Sequence, residues 1–561
     1  MTGKKKSAQA SIEAMHRVFT VPEAPDSTLS RIDQDISRNL AGFLQEHIVA
    51  VEKDLFEVEK DFSDYAIPEK PIFVSEQAQF LLEKLVANSV HTASPSFIGH
   101  MTSALPYFML PLSKIMIALN QNLVKTETSK AFTPMERQVL GMIHRLVYVQ
   151  DGAFYRKWMH DPRHALGAMC SGGTVANLTA LWVARNNAFP AEGSFRGIHQ
   201  EGLFRALRYY GCEGAAILVS RRGHYSLRKA ADVLGLGREF LIPVDTDNDN
   251  RVQTDALREK CLELHRQKIR VLAICGIAGT TETGNVDPLD AMADIAREFG
   301  AHFHVDAAWG GPTLFSRTHR GLMRGIEKAD SVTFDAHKQL YVPMGAGLVV
   351  FRDPTLASAV EHHAQYIIRK GSRDLGTTTL EGSRPGMSML IQSGLKILAR
   401  EGYEILIDEG IEKARIFADM INNDPDFELI TRPELNILTY RFCPKNVQAA
   451  LAEATEEQSE KLNNSLNRIV KFIQKTQRER GKAFVSRTRL EPAHHYHQPC
   501  IVFRVVLANP LTTRKILADI LSEQKQLALE PGVQDEVTVL HQAANAILQG
   551  QRNQEISARR A

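Results

Sequence analysis

Positions Leu40, Phe43, Leu44, His47, Ile48 and Val51 recur at helical spacing, which predicts a helical stretch over residues 27–60. Pro68, Pro71, Pro95, Pro106 and Pro111 then break the chain into short pieces. From about residue 165 to 352 the pattern changes to short apolar strands, at Ala215–Ser220, Val271–Gly276, His302–Asp306 and Gly347–Phe351. Helix-length segments such as Thr254–Arg266 and Leu289–Phe299 separate them. Strands alternating with helices of that length imply a mostly parallel sheet covered on both faces. Such sheets bind ligands beyond the carboxyl ends of their strands, so chemistry is expected just after a strand.

A long helix over about Gly386–Glu401 leads into a second unit with strands at Asn436–Phe442, Phe484–Thr488 and Cys500–Leu507 and a polar helical insert at Glu456–Arg480. The last thirty or so residues, rich in Gln and Ala, read as a helix with a frayed end, and the chain shows no internal repeat. At 561 residues the chain needs more than one core. We expect an N-terminal helical segment (1–105), a large α/β domain (106–395) and a smaller C-terminal α+β domain (396–561).

Composition narrows the class. Hydrophobic residues at 44% and charged residues at 24% are ordinary for a globular protein. A net charge of +2, from 67 basic and 65 acidic side chains, calls for neither nucleic acid nor an anionic membrane as partner. The basic run at residues 3–6 reads as a solvated tail. No secretory signal is evident in the first thirty residues, and no apolar run approaches the roughly 18–20 residues that span a bilayer. Six cysteines without a CxxC pair argue against zinc ribbons and disulfide scaffolds, so a reducing cytoplasm is expected.

Candidate chemistry gathers after the strands. In Ser331-Val-Thr-Phe-Asp-Ala-His-Lys-Gln-Leu an apolar strand runs into Asp335, His337 and Lys338. A lysine at a sheet edge can lose hydration, which lowers its pKa and leaves an amine able to attack an aldehyde. Three segments add weight. In His302-Phe-His-Val-Asp306-Ala-Ala-Trp-Gly-Gly a strand ends in a carboxylate followed by small residues, leaving open space beside it. Asp306 could pair with a protonated pyridine nitrogen of the kind pyridoxal phosphate needs as an electron sink. In Met169-Cys-Ser171-Gly172-Gly173-Thr174 a glycine pair opens a helix whose N–H groups and hydroxyls could cradle a phosphate. In Ser220-Arg-Arg-Gly-His224 an imidazole could stack on a bound ring. Alone, each has a plainer reading: a surface lysine, two helix caps and a structural histidine.

Together, and in this order over about residues 90–510, these segments resemble the group II family of pyridoxal-phosphate decarboxylases. That family includes glutamate, aromatic-amino-acid and cysteine-sulfinate decarboxylases. The resemblance implies an aminotransferase type I fold, with a mostly parallel seven-stranded sheet, and pyridoxal 5'-phosphate bound at a homodimer interface. It implies Lys338 as the Schiff-base lysine, Asp306 as pyridinium partner and His224 as stacking base. It puts the Ser171–Thr174 turn, Asp335 and His337 near the cofactor, the latter by its phosphate, and Thr280 near the ring oxygen. Val502-Phe-Arg504-Val-Val-Leu resembles the family's substrate-carboxylate segment, and a planar guanidinium suits a bidentate carboxylate. Ser94-Pro-Ser-Phe-Ile-Gly-His100-Met-Thr102 resembles the segment that contacts the substrate side chain.

The implied reaction is α-decarboxylation of a small acidic amino acid, first aspartate to β-alanine, a pantothenate precursor. Glutamate and cysteine sulfinate are alternatives. Aldehyde lyase, aminotransferase and a silent scaffold of the same fold stand further off. The chain departs from the family at Ala336, where Pro is usual, and at Gln339, where an aromatic is frequent. The polar, glycine-rich loop 371–386 has the makeup of a closing lid but lacks the tyrosine many relatives carry there as proton donor. Tyr366 and His224 are the candidates. His494, His495 and His497 lack an acidic or cysteine partner at helpful spacing and read as a polar loop, so no metal is expected. His362 and His363, adjacent on an expected helix, receive no role.

Overall fold

The computed structural model describes residues 27–49, 51–364, 368 and 372–560, the last six of these as backbone only. Its larger sheet has seven strands in the order β1-β7-β6-β5-β4-β2-β3. They are β1 (Gly167–Cys170), β2 (Gly214–Ser220), β3 (Leu241–Val244), β4 (Ile269–Ile277), β5 (His302–Asp306), β6 (Ser331–Phe334) and β7 (Gly347–Phe351). β7 runs antiparallel to both β1 and β6; the other neighbours pair in parallel. Successive residues of β2 belong to different cores: Ala216 and Leu218 pack with Ile274 and Val305, whereas Ala215, Ile217 and Val219 pack under Phe189 and Leu227. A strand alternates its side chains between faces, so the sheet is buried on both. The strand ends therefore open along one edge of an enclosed sheet.

A second, antiparallel sheet has the order β10-β11-β9-β8. Its strands are β8 (Phe427–Thr431), β9 (Ile437–Phe442), β10 (Ser486–Leu490) and β11 (Cys500–Val506), and the helix Glu456–Arg480 packs against it. The N-terminal segment is built into this unit. Ile98 is fully buried in its core, donates its N–H to Phe484 (3.0 Å) and accepts from Val506 (2.7 Å). A buried triad joins the two sheets. The Trp309 indole donates to Asn436 (2.9 Å), the Asn436 amide donates to Gln339 (2.8 Å), and Gln339 donates to the Trp309 carbonyl (2.8 Å). Gln339 thus makes hydrogen bonds that an aromatic could not, while Ala336 is wholly buried in the large core.

Several expectations give way. Residues 27–60 form the separate helices Thr28–Arg38, Leu40–His47 and Leu55–Glu59; Asn39 ends the first and caps the second through Gly42 N–H (3.0 Å). The helix expected over Gly386–Glu401 is two, Met387–Ile397 and Ala399–Asn423, with Ala399 at φ 52° between them. His362 and His363 lie outside any helix. β3 and β8, which the hydrophobic pattern does not single out, are half-buried edge strands, the first only four residues long with Pro243 inside it and the second carrying Glu428.

The helix Phe132–Tyr148 carries Glu136, which pairs with Arg384; the two side chains are 1% and 8% exposed. Removing one partner would strand a buried charge, at a cost of about 3–5 kcal/mol. Arg384→Met should lower the urea midpoint accordingly, and adding Glu136→Gln should recover most of the loss. A single variant as stable as the parent would show the pair to be inconsequential.

Candidate active site

Along β5, His302, His304 and Asp306 share one face, because strand side chains repeat every second residue. Asp306 is buried at the strand end. Its Oδ1 accepts the Ala308 N–H (3.1 Å) and its Oδ2 accepts the Asn177 amide (2.8 Å). Among the described residues no cation comes within ion-pair distance of it. A buried carboxylate with only neutral donors favours a positive neighbour, and a protonated pyridine nitrogen fits that requirement. Of the small residues after Asp306, Gly310 and Gly311 do not leave the open space that the sequence reading expects. A Cβ on Gly310 would meet the Ala278 carbonyl at 2.4 Å, and one on Gly311 would meet the Phe334 ring at 2.4 Å. They permit close packing of the strand ends.

β6 leads directly into Asp335, His337 and Lys338. The Lys338 side chain is 16% exposed, with Nζ 3.5 Å from Asp335 Oδ2. That same oxygen accepts the N–H of Gly173 (3.1 Å), so one buried carboxylate ties the lysine to the first residue of the helix Gly173–Ala188. Thr174 follows in its first turn. The glycine pair is demanded by contact. A Cβ on Gly172 would lie 3.2 Å from His337 Cε1, and one on Gly173 would lie 3.0 Å from Asp335 Oδ2. A Cβ on Gly347, at the start of β7, would sit 2.5 Å from the Gly172 carbonyl carbon. His337 Nδ1 lies 2.9 Å from Asp335 Oδ1, yet both atoms are buried without a hydrogen bond. The start of the helix Gly173–Ala188 beside this pair suits a phosphate.

His224 follows β2. Its Nδ1 lies 2.8 Å from the Ser226 hydroxyl and accepts the Ser226 backbone N–H (3.3 Å), so a neutral ring carries its proton on Nε2. Burial lowers its pKa, and the charges of Asp306, Lys338 and Asp335 all act on it, placing it among them. Burial also lowers His100, which feels Arg504 and Lys338. Arg504, on β11, donates to the carbonyls of Thr281 (2.6 Å) and Gly99 (3.2 Å), bringing the C-terminal unit, the large sheet and the N-terminal segment to one point. Burial pulls its guanidinium down to about 10, still charged at neutral pH. Its Nη2 and the hydroxyls of Thr102 and Ser103 are buried without a partner. Thr280, three residues beyond the strand end beside Asp306, is fully buried. Its hydroxyl is already bonded to Thr283 (2.7 Å) and the Asn285 N–H (3.0 Å).

The lid expectation changes. Within 372–386, Asp374 accepts the Thr126 N–H (2.8 Å), Glu381 accepts the Ser171 N–H (2.9 Å) and Arg384 is locked to Glu136. That stretch is fastened at both ends. Tyr366 and Gly371 lie outside the described residues. The histidines near 495 do meet an acidic side chain, distant in sequence: Glu428 of β8 lies 2.8 Å from His495 and 3.4 Å from His494. The buried Arg441 guanidinium already holds both Glu428 (2.7 Å) and His495 (3.0 Å). Sequence reading assigned nothing to Asn177, Ser226 or His304. The available signals were position alone: Asn177 one helical turn past Gly173, and His304 on the face of Asp306.

The chain belongs to the pyridoxal-dependent decarboxylase family, whose conserved domain matches residues 57–443. It is thus an enzyme, an amino-acid decarboxylase that uses pyridoxal phosphate. Over 528 residues it is 61% identical to an aspartate 1-decarboxylase of Aliivibrio fischeri, covering 94% of this chain and 96% of that one. Over 466 residues it is 27% identical to cysteine sulfinic acid decarboxylase of Mus musculus, covering 81% and 86%. Its fold is similar to that of mouse CSAD in apo form (TM-score 0.75, 24% identity, 89% of this chain and 98% of that one). It is equally similar to Oryza sativa TDC with PLP and tryptamine (TM-score 0.75, 19% identity, 90% and 99%).

Because Gly347 fixes how closely β7 approaches Gly172, Gly347→Ala should push the turn away from His337. We expect apoenzyme titrated with pyridoxal phosphate to bind about ten-fold more weakly, a loss of about 1.4 kcal/mol. Unchanged affinity would separate the turn from cofactor binding.

Proposed function

We propose that the protein decarboxylates L-aspartate to β-alanine, with the site residues above in the roles the family resemblance implies. The observation that carries this is that the charges of Asp306 and Lys338 reach His224, those of Lys338 and Arg504 reach His100, and Arg504 Nη2 and the hydroxyls of Thr102 and Ser103 are buried without a partner. The likeness to the Aliivibrio aspartate 1-decarboxylase favours aspartate among the acidic substrates. Pyridoxal phosphate, when bound, supplies an aldehyde and a ring that draws off the electrons released at Cα.

The chain's own groups do the rest. Lys338 supplies the amine that anchors the aldehyde, with Asp335 steering it. Gly172, Gly173, Ser171, Thr174 and His337 hold the phosphate, while Asp306 keeps a negative charge opposite the ring nitrogen. His224 covers the ring and keeps a proton at Nε2. Arg504, His100 and Thr102 bind the side-chain carboxylate, which orients the carboxylate that leaves. Burial of this cleft strengthens each charge contact relative to water.

A homodimer belongs to the same proposal. Large apolar side chains stand exposed along the N-terminal third, among them Phe56, Ile67, Tyr107 and Ile117 at 74%, 92%, 88% and 69%. Exposed apolar side chains this numerous in one stretch of sequence favour cover by a second chain. A cytoplasmic location is proposed from the six free cysteines, five of them buried. No described helix is long and apolar enough to cross a membrane. The division at 105 and 395 is likewise proposed, although Ile98 packs with the C-terminal unit.

Carbon dioxide release from aspartate, glutamate and cysteine sulfinate tests the reading. One methylene separates the first two, worth about 1–3 kcal/mol, so kcat/KM for aspartate should lead by roughly ten- to 200-fold. Preference for another substrate overturns the aspartate assignment. Lys338→Ala should abolish turnover, and retained turnover overturns the lysine assignment. Light scattering of the same preparation should read twice the chain mass; a single chain mass overturns the dimer.

A further inference from the structure

Asn177 is 1% exposed, yet its side-chain amide links Asp306, assigned to the ring nitrogen, to Ser226, which holds His224, assigned to the ring face. Its Nδ2 donates to Asp306 Oδ2 (2.8 Å) and to the Ser226 hydroxyl (3.1 Å). Its Oδ1 lies 3.1 Å from His304 Nε2. His304 Nδ1 lies 2.8 Å from the Ser331 hydroxyl, which in turn lies 2.7 Å from His302 Nε2. From Ser226 the branch continues to His224 Nδ1 (2.8 Å).

A carboxylate, a backbone N–H and a buried, neutral His304 ring together fix the proton positions. A carboxylate accepts only, so the Asn177 amide must turn Nδ2 toward Asp306 and Oδ1 toward His304. His304 Nε2 is then the donor. Burial holds His304 down to about 4, so the ring is neutral and its Nδ1 must accept from Ser331. The Ser331 oxygen in turn accepts from His302. At the other end a backbone N–H donates only, so His224 Nδ1 accepts from both groups of Ser226, and the His224 proton stands on Nε2. Each donor in the main line points toward Asp306, and aligned buried hydrogen bonds strengthen one another.

We infer that Asn177 is a positioning residue for decarboxylation. From one amide it stabilises Asp306 as a carboxylate facing the ring nitrogen and orients the Ser226 hydroxyl so that its proton, like the Ser226 backbone N–H, faces His224 Nδ1. This rests on the roles proposed for Asp306 and His224. Asn177 itself touches neither substrate nor cofactor in this account.

The test uses holoenzyme loaded with ring-15N pyridoxal phosphate, whose nitrogen shift reports ring protonation by NMR, alongside steady-state kinetics. The parent should keep the ring nitrogen protonated across the neutral range. Asn177→Leu, which keeps the volume and removes every hydrogen bond, should lower the ring-nitrogen midpoint by about one pH unit or more. Its kcat should fall about ten- to a hundred-fold with KM little changed. Ser226→Ala should lower kcat and leave the ring nitrogen as in the parent. If Asn177→Leu does not fold, His304→Phe should move the midpoint the same way by less. Parent-like titration of these Asn177 or His304 variants, with Asp306→Asn shifted, overturns the inference alone. An unshifted Asp306→Asn overturns the Asp306 assignment, and the inference with it.

Discussion

A carboxylate taken out of water at the end of a strand, with an amide and a backbone N–H as its partners, is the constraint on which this structure turns. Asp306 is buried at the carboxyl end of β5, and its direct hydrogen bonds come from neutral donors. Isolated buried charge is costly. The cost falls when a cation stands against it, and the cofactor's ring nitrogen is the cation proposed for this place. Much of the surrounding architecture serves to keep that oxygen pair fixed and dry.

The enclosed sheet does so by register. Parallel pairing sets Ile277 beside Asp306 and Thr333 one strand further on, so the loops after β4, β5 and β6 open side by side. The loop after β6 then brings Asp335 back to Gly173 and Lys338, and the loop after β4 meets Arg504 from the other sheet. The Trp309–Asn436–Gln339 triad locks the two sheets just behind the site. Elements of both sheets thus converge, and an arginine on β11 and a lysine after β6 act on the same histidine, His100.

The inner strands β2 and β4 were legible as apolar runs, and the positions of Lys338, Asp306 and His224 at or just after a strand end were legible with them. Edge strands β3 and β8 were not, since Pro243 interrupts the first, only four residues long, and Glu428 the second. Asn177 and His304 were hidden for a different reason. Their meaning lies in a contact between a helix and a strand 127 residues apart, and neither residue type marks that by itself. Glu428 beside His495 and Glu136 beside Arg384 were hidden likewise, by separations of 67 and 248 residues. The glycines after Asp306 were legible as small but misread as space, because a sequence does not say whether a missing side chain leaves room for a ligand or for the neighbouring backbone.

The central assignment is one amine reaching one aldehyde opposite Asp306. Borohydride reduction of the holoenzyme, digestion and mass mapping of the pyridoxyl group test it most directly. The label should fall on the peptide carrying Lys338 and no other. A label on a different lysine, or none on a protein that has bound its cofactor, would contradict the account.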